Sequence, residues 1–214
     1  MSFPQRFKWM VPVLGAAAVL TVGILLDRSE GKNGDAQAQE KEIVITIGDI
    51  DRSLIAEGDS LRKAYKFREA VASYQKFLET QGAPVSLRAE AEYNIGLSFT
   101  WLGEYDSAEA VFTRMLDTYK DNPNAVGYAQ YCIAWVEVQK GKYREAIARL
   151  EGSLARGNIT ERELAARTQF LIGRTYVLFL NDPSNARVEF VKVITNYPET
   201  EIAKHPYVTA LKGL

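Results

Sequence analysis

The chain holds one histidine, His205, and one cysteine, Cys132. Proton transfer and nucleophilic attack lean heavily on these two residue types, so a search for chemistry starts with them. His205 stands beside Pro206 with no nucleophile paired to it in sequence, and reads as a surface loop residue. Cys132 sits in the apolar run "YAQYCIAWVEV" and reads as a small buried hydrophobe. A lone thiol makes no intrachain disulfide, and the chain lacks the several Cys or His ligands that a zinc site needs. No phosphate loop, no G-x-S-x-G elbow and no H-E-x-x-H helix is present. The acids are spread as a solvated face would be. Glu109, Glu137 and Glu145 could approach one another, but exposure is the default for such residues. The expectation is a chain with no catalytic site, metal or cofactor. A cell-wall-processing enzyme would require an acidic site that these spacings do not reveal.

What remains is to ask what the elements position instead. The 214 residues allow one or two domains with a sizeable core. With 26 basic and 27 acidic residues the net charge is -1, which argues against nucleic acid as a partner. The N-terminus departs from this balance. "WMVPVLGAAAVLTVGILL", Trp9 to Leu26, carries no charge. As a helix it spans about 27 Å, the thickness of a bilayer core. Arg6 and Lys8 precede it, which places residues 1–8 in the cytoplasm and the remainder outside. The expected element is a transmembrane signal anchor over 9–26. The other reading is a signal peptide cut after Ala38, in "DAQAQ", although the apolar run exceeds the usual signal core. Residues 27–49 form a polar linker whose last part, "EIVITIGDI", is either a short strand or an extended lead-in.

From residue 50 to 198 the pattern is helical and repeats. Ala70, Ala108, Ala146 and Ala186 are spaced by 38, 38 and 40 residues. Four positions after each stand Tyr74, Phe112, Leu150 and Phe190. Twelve before the first three alanines stand Gly58, Gly96 and Ala134; Gly173 lies thirteen before the fourth, so the last unit carries one inserted residue. Three after the small residue come Leu61, Phe99 and Tyr176, with Glu137 in the third unit. A fixed period of this size means stacked supersecondary units. Each unit reads as two helices, with the small residue and the Ala at their crossing and the large residue filling the space between units. Gly103 and Gly141 fall at the turn between the helices, and Asp182-Pro183-Ser184-Asn185 marks the fourth turn. Pro123 and Pro198 are expected to stop second helices.

These stretches, "IGLSFTWLGEYDSAEAVFTRML" and "IAWVEVQKGKYREAIARLEGSL" above all, resemble the tetratricopeptide repeat. "IGRTYVLFLNDPSNARVEFVKVITNYP" matches with the insertion, and "EGDSLRKAYKFREAVASYQKFL" has Tyr65 at the turn glycine. Glu92, Gln130 and Gln169 occupy a position that is bulky and apolar in the family. The period exceeds the family's by about four residues, placed in the link between units, as in membrane-anchored bacterial envelope members. The resemblance implies an all-α fold: an N-terminal transmembrane helix, then an α-solenoid of about four helix-turn-helix repeats. Residues 199–214 are expected to form a solvating cap, with Tyr207 following Tyr93, Tyr131 and Phe170 into a half unit.

In this family the first helix of each unit lines the concave groove. The inward positions implied here are Tyr93, Leu97 and Trp101, then Tyr128, Tyr131 and Trp135, then Arg167, Phe170 and Arg174. Some of these rings belong to the core. Tyr128, Trp135 and Trp101 exceed what the repeat's own packing requires, and are expected to contact an apolar or amphipathic helix or extended peptide. The family's carboxylate clamp is not implied, because Tyr93, Leu97, Tyr131 and Trp135 replace its Lys and Asn. The expected function is that of a non-catalytic scaffold, tethered at a bacterial inner membrane with its C-terminal domain outside the cytoplasm. It would dock a protein partner in secretion, maturation or envelope assembly. The alternative is a structural subunit of a larger membrane complex.

Overall fold

The computed structural model describes residues 52–210. The expected anchor Trp9–Leu26, the Ala38 site, the linker with "EIVITIGDI", and residues 211–214 lie outside the described residues. Two units divide the chain, Met1–Ala56 and Glu57–Leu214, and the helices below belong to the second except for the opening residues of the first helix.

Among the described residues the fold is all-α. Four helix pairs run in order: α1 (Ser53–Lys63) with α2 (Phe67–Leu78), α3 (Val85–Leu102) with α4 (Tyr105–Thr118), α5 (Pro123–Gln139) with α6 (Tyr143–Ala155), and α7 (Arg162–Phe179) with α8 (Pro183–Asn196). A 3-10 helix, Glu201–Lys204, and a short α9, Pro206–Thr209, close the described chain. No helix of the described residues is long and apolar enough to cross a membrane.

The two helices of a unit are built differently. Second helices bury one stripe: Ala108, Val111, Phe112 and Met115 in α4, and Ala146, Ile147, Leu150 and Ser153 in α6. The spacing is i, i+3, i+4, i+7 in α4 and i, i+1, i+4, i+7 in α6, each that of a helix with one face on a core. First helices are enclosed; in α3 every residue from Ala91 to Ser98 is buried. The contacts explain the difference. α5 touches α3, α4, α6 and α7, whereas α6 touches α5 and α7. First helices therefore stack on one another as an inner layer, and second helices stand apart outside them.

The crossing within a unit is an interlock of a ring and a missing side chain. A Cβ at Gly96 would lie 2.5 Å from Cε1 and Cζ of Phe112. One at Gly58 would lie 2.5 Å from Tyr74 Cε1, and one at Gly173 2.6 Å from Phe190 Cε1. Contacts under about 3 Å are repulsive, so each ring requires the glycine beneath it. Only the third unit lacks a ring, and only there does the small residue keep its Cβ: Leu150 faces Ala134, both fully buried. Ala70, Ala108, Ala146 and Ala186 are likewise buried on the second helices.

The turns fall where the spacing predicts them. Gly103 and Gly141 adopt φ 76° and 77°, the left-handed region that suits glycine. Each turn is closed by a backbone bond five residues long: Lys66 N–H to Leu61 C=O, Glu104 to Phe99 and Lys142 to Glu137, at 2.9, 2.9 and 2.8 Å. In the fourth unit Asp182 N–H reaches Tyr176 C=O, six residues back at 2.9 Å. The inserted residue is therefore absorbed in the turn, with Asn181 at φ 50°. Tyr65 holds the first turn at φ 61° without being glycine.

Two expectations change here. Pro123 does not stop α4, which ends at Thr118; it opens α5 at the first helical position, behind Asn122, whose side chain accepts from Ala125 N–H at 3.1 Å. A proline suits that position because its missing N–H would have no helical acceptor. The C-terminal segment does more than solvate. Its Ile202, Ala203 and Val208 join Ala166, Phe170, Ala186, Phe190 and Val193 in a buried cluster. Tyr207 does not repeat the buried setting of Tyr93 and Phe170: it is half exposed and lies parallel to Phe190, centroids 6.3 Å apart.

Candidate functional site

The inner layer of first helices presents the residues that sequence singled out, and it sorts them into two groups. Tyr93, Leu97, Tyr128, Trp135 and Phe170 are buried. Trp101, Tyr131, Arg167 and Arg174 are half-buried. The buried group therefore serves packing, and the surface open to a partner narrows to the second group.

The packing is specific. Tyr93 on α3 sits between Phe112, 6.3 Å away, and the edge of Tyr128 on α5, at 5.6 Å. Tyr128 donates its hydroxyl to Glu161 at 2.7 Å, across the link into α7. Burial pushes the phenols of Tyr93 and Tyr128 well above their usual range, with the Glu161 bond adding to it for Tyr128. Cys132 is buried beside Tyr93, and burial raises its thiol in the same way, so it is an inert core residue. Phe170 packs on Phe190 at 5.5 Å and on His205 at 4.5 Å.

The open group lies on three successive first helices. Trp101, at the end of α3, stacks flat on Phe67 of α2, centroids 5.9 Å apart and planes 3° from parallel. Tyr131 on α5 has its phenol pushed up to about 12, mainly by burial, with Arg167 and Arg174 pulling the other way. On α7, Arg167 donates Nε–H to Glu163 at 3.1 Å. The Arg174 guanidinium stands 5.9 Å from the Phe170 ring centre, within cation–π range. Positions 167, 170 and 174 share one face of α7 by helical spacing. A surface of flat rings and guanidinium groups can take apolar side chains and carboxylates; it offers no nucleophile with a base.

His205 does not lie on a free loop. It is half-buried, its ring lies 5.5 Å from Tyr207, and its Nδ1 accepts from Tyr207 N–H at 3.2 Å, capping α9. Burial first, and Arg174 second, lower its pKa.

The acids behave differently from the solvated face expected of them. Glu137 is buried and takes Arg149 in a forked pair, 2.7 Å to Nη2 and 3.0 Å to Nε. Glu109 accepts from Lys140 at 2.7 Å, and Glu145 is exposed on α6. The three therefore form no acid–base pair. Among the described residues no group of acids, His and Cys could hold a metal ion. Glu92, Gln130 and Gln169, polar where the family is apolar, tie first helix to second. Glu92 accepts from Arg114 and from Tyr119, both at 3.3 Å. Gln130 accepts from Arg149 at 3.3 Å, and Gln169 donates to the buried Glu189, which also holds Lys192 at 2.7 Å. The recurrence of a polar residue at one slot in three units was the available signal.

Residues 55–123 match a family model of the tetratricopeptide repeat, and 167–200 match a second model of the same repeat. Both stretches are tetratricopeptide repeats. Among solved structures it is similar to a fragment of MamA, residue 41 to the end, from Desulfovibrio magneticus RS-1. Identity there is 19%, the TM-score is 0.50, and the match covers 78% of this chain and 87% of that one. An ArsTM double mutant of MamA from RS-1 gives 19%, 0.51, 77% and 86%. YrrB, described as a tetratricopeptide repeat protein with an unusual peptide-binding site, gives 18% and a TM-score of 0.38, covering 76% of this chain and 92% of that one. At such identities the likeness to MamA is one of fold. No curated protein sequence matches the chain.

Proposed function

We propose that this chain is a non-catalytic scaffold that docks a helix or extended segment of a protein partner on its inner layer. The observation that carries this is that Trp101, Tyr131, Arg167 and Arg174, on three successive first helices, are only half-buried. Tyr, Trp and Arg are the residue types that dominate protein contact energies, because each combines area with a polar or charged handle. The tether is part of the same proposal: Trp9–Leu26 anchors the chain in a bacterial inner membrane and holds the repeats outside the cytoplasm. Tethering confines the search for a partner to the membrane plane and raises effective concentration.

The test uses the full chain carrying Trp101→Ala and Tyr131→Ala together. Neither residue lies in the fully buried core, so the variant is expected to melt close to wild type yet lose its native partner in co-purification. A folded double variant that keeps every partner would contradict the proposal. A permanent-subunit role is favoured by the exposed Leu178, Val188 and Val191 in the fourth unit. It predicts instead that the protein purifies in a fixed ratio with its neighbours.

A further inference from the structure

The chemistry of the occupant can be argued from the arginines of this face, granting the reading of it as a docking surface. Arginines on the second helices have carboxylates of their own: the exposed Arg114 has Glu92 at 3.3 Å and the half-buried Arg149 has Glu137 at 2.7 Å. Arg174, on the inner layer, is set differently. Among the described residues no carboxylate lies within 4 Å of it. It lies against the Phe170 ring, a contact that leaves the guanidinium edge and its N–H donors to other acceptors. About two turns away, Arg167 shares Glu163 with a second donor, the backbone N–H of Glu201 at 3.0 Å. α7 packs on α5, which carries Tyr131, and both charges pull the Tyr131 phenol down against the larger effect of burial. On α1, the half-buried Arg62 has an Nε without a hydrogen-bond partner among the described residues.

Positive charge thus stands on one face of α7, where Arg174 lies against Phe170 and Arg167 shares its side of the helix. A guanidinium withdrawn from water without a carboxylate is costly, and a ligand carboxylate that meets it gains a short, charge-assisted and often bidentate bond.

We propose that the docked segment is acidic and amphipathic, its carboxylates meeting Arg174 and Arg167 of α7 while its apolar side chains lie on Tyr131 and Trp101. Charge complementarity selects this occupant over a neutral or basic one.

The test measures binding of three labelled synthetic peptides to the full chain in nanodiscs of zwitterionic lipid. The peptides share their Leu and Phe positions and carry Glu, Gln or Lys at all others. The Glu peptide is expected to bind about tenfold tighter than the Gln peptide. That preference should shrink as salt rises from about 0.05 to 0.5 M. Arg174→Gln should remove most of the preference, and Arg174→Lys should keep part of it. Trp101→Ala with Tyr131→Ala should weaken the Glu and Gln peptides alike. Equal binding of the Glu and Gln peptides overturns the acidic preference and leaves the docking face standing. Failure of all three overturns both. Phosphatidylglycerol vesicles that displace the Glu peptide in an Arg174-dependent way overturn the proposal in favour of a lipid surface.

Discussion

The second and third units solve the same crossing in two ways. In the second, Phe112 lies across the backbone of α3 at Gly96, where a Cβ would stand 2.5 Å from the ring. In the third, Leu150 meets Ala134, and both are fully buried. A glycine inside a helix is less stable than alanine by about 0.5–1 kcal/mol, so it persists where something occupies the vacated space. The ring is that occupant. Small residue and large residue therefore form one structural pair, and the pair rather than either residue defines the repeat.

The largest effect should come from setting one member against the other. Gly96→Ala is expected to lose about 1–2 kcal/mol net, overpacking against a fully buried ring less the gain in helix propensity. A urea midpoint reads it. Adding Phe112→Leu should recover much of the loss, converting the second unit into a copy of the third. A double-mutant cycle should show coupling of about 1 kcal/mol or more. Strict additivity would break the comparison.

A smaller effect sharpens it at the turns. Tyr65 sits at φ 61° where the next two units have glycine, and a bulky residue in that region carries strain of about 1–3 kcal/mol. The 77% exposed Tyr65 gives up little packing, its edge-on contact with Phe67 at 6.1 Å apart. Tyr65→Gly should raise stability by about 1 kcal/mol, after the unfolded-state entropy of glycine is charged against it.

Much of this was legible because it is local. The spacing of Ala70, Ala108, Ala146 and Ala186 is set by helices that must stack in register, and the turn glycines by positive φ. The one-residue insertion could be counted in the sequence, and the structure places it at Asn181. What could not be read were pairings between helices. Glu137 looked like a solvated acid because its partner Arg149 stands twelve residues on, in another helix. Helical periodicity marks which face is inward, not whether an inward acid has a cation waiting. The candidate site suffered similarly. Tyr93, Tyr128 and Phe170 are enclosed by groups from other elements, Phe112, Glu161, Phe190 and His205 among them, and only three-dimensional contact separates them from Trp101 and Tyr131.

The smallest effect concerns the two ends of the described repeats, and pH. His205 holds the C-terminal turn through Nδ1 as an acceptor, which requires the neutral ring. Burial and Arg174 hold its pKa below the usual 6.5. A lowered histidine pKa means the folded state favours the neutral form. Its contribution is therefore complete above about pH 6.5 and falls away as pH drops through the folded value. Hydrogen exchange should show amides of 207–210 opening with acid while those of α3 do not. His205→Asn, which keeps an acceptor without titrating, should flatten that response.

The most direct test of the account places a photoreactive phenylalanine at Tyr131, on the inner layer, or at Ala148, exposed on the outer helix α6. Each full-length protein is irradiated in its native membrane. The account predicts a discrete protein adduct from position 131 and none from 148. Adducts from 148 alone, or from both positions equally, would contradict an inner-layer docking face.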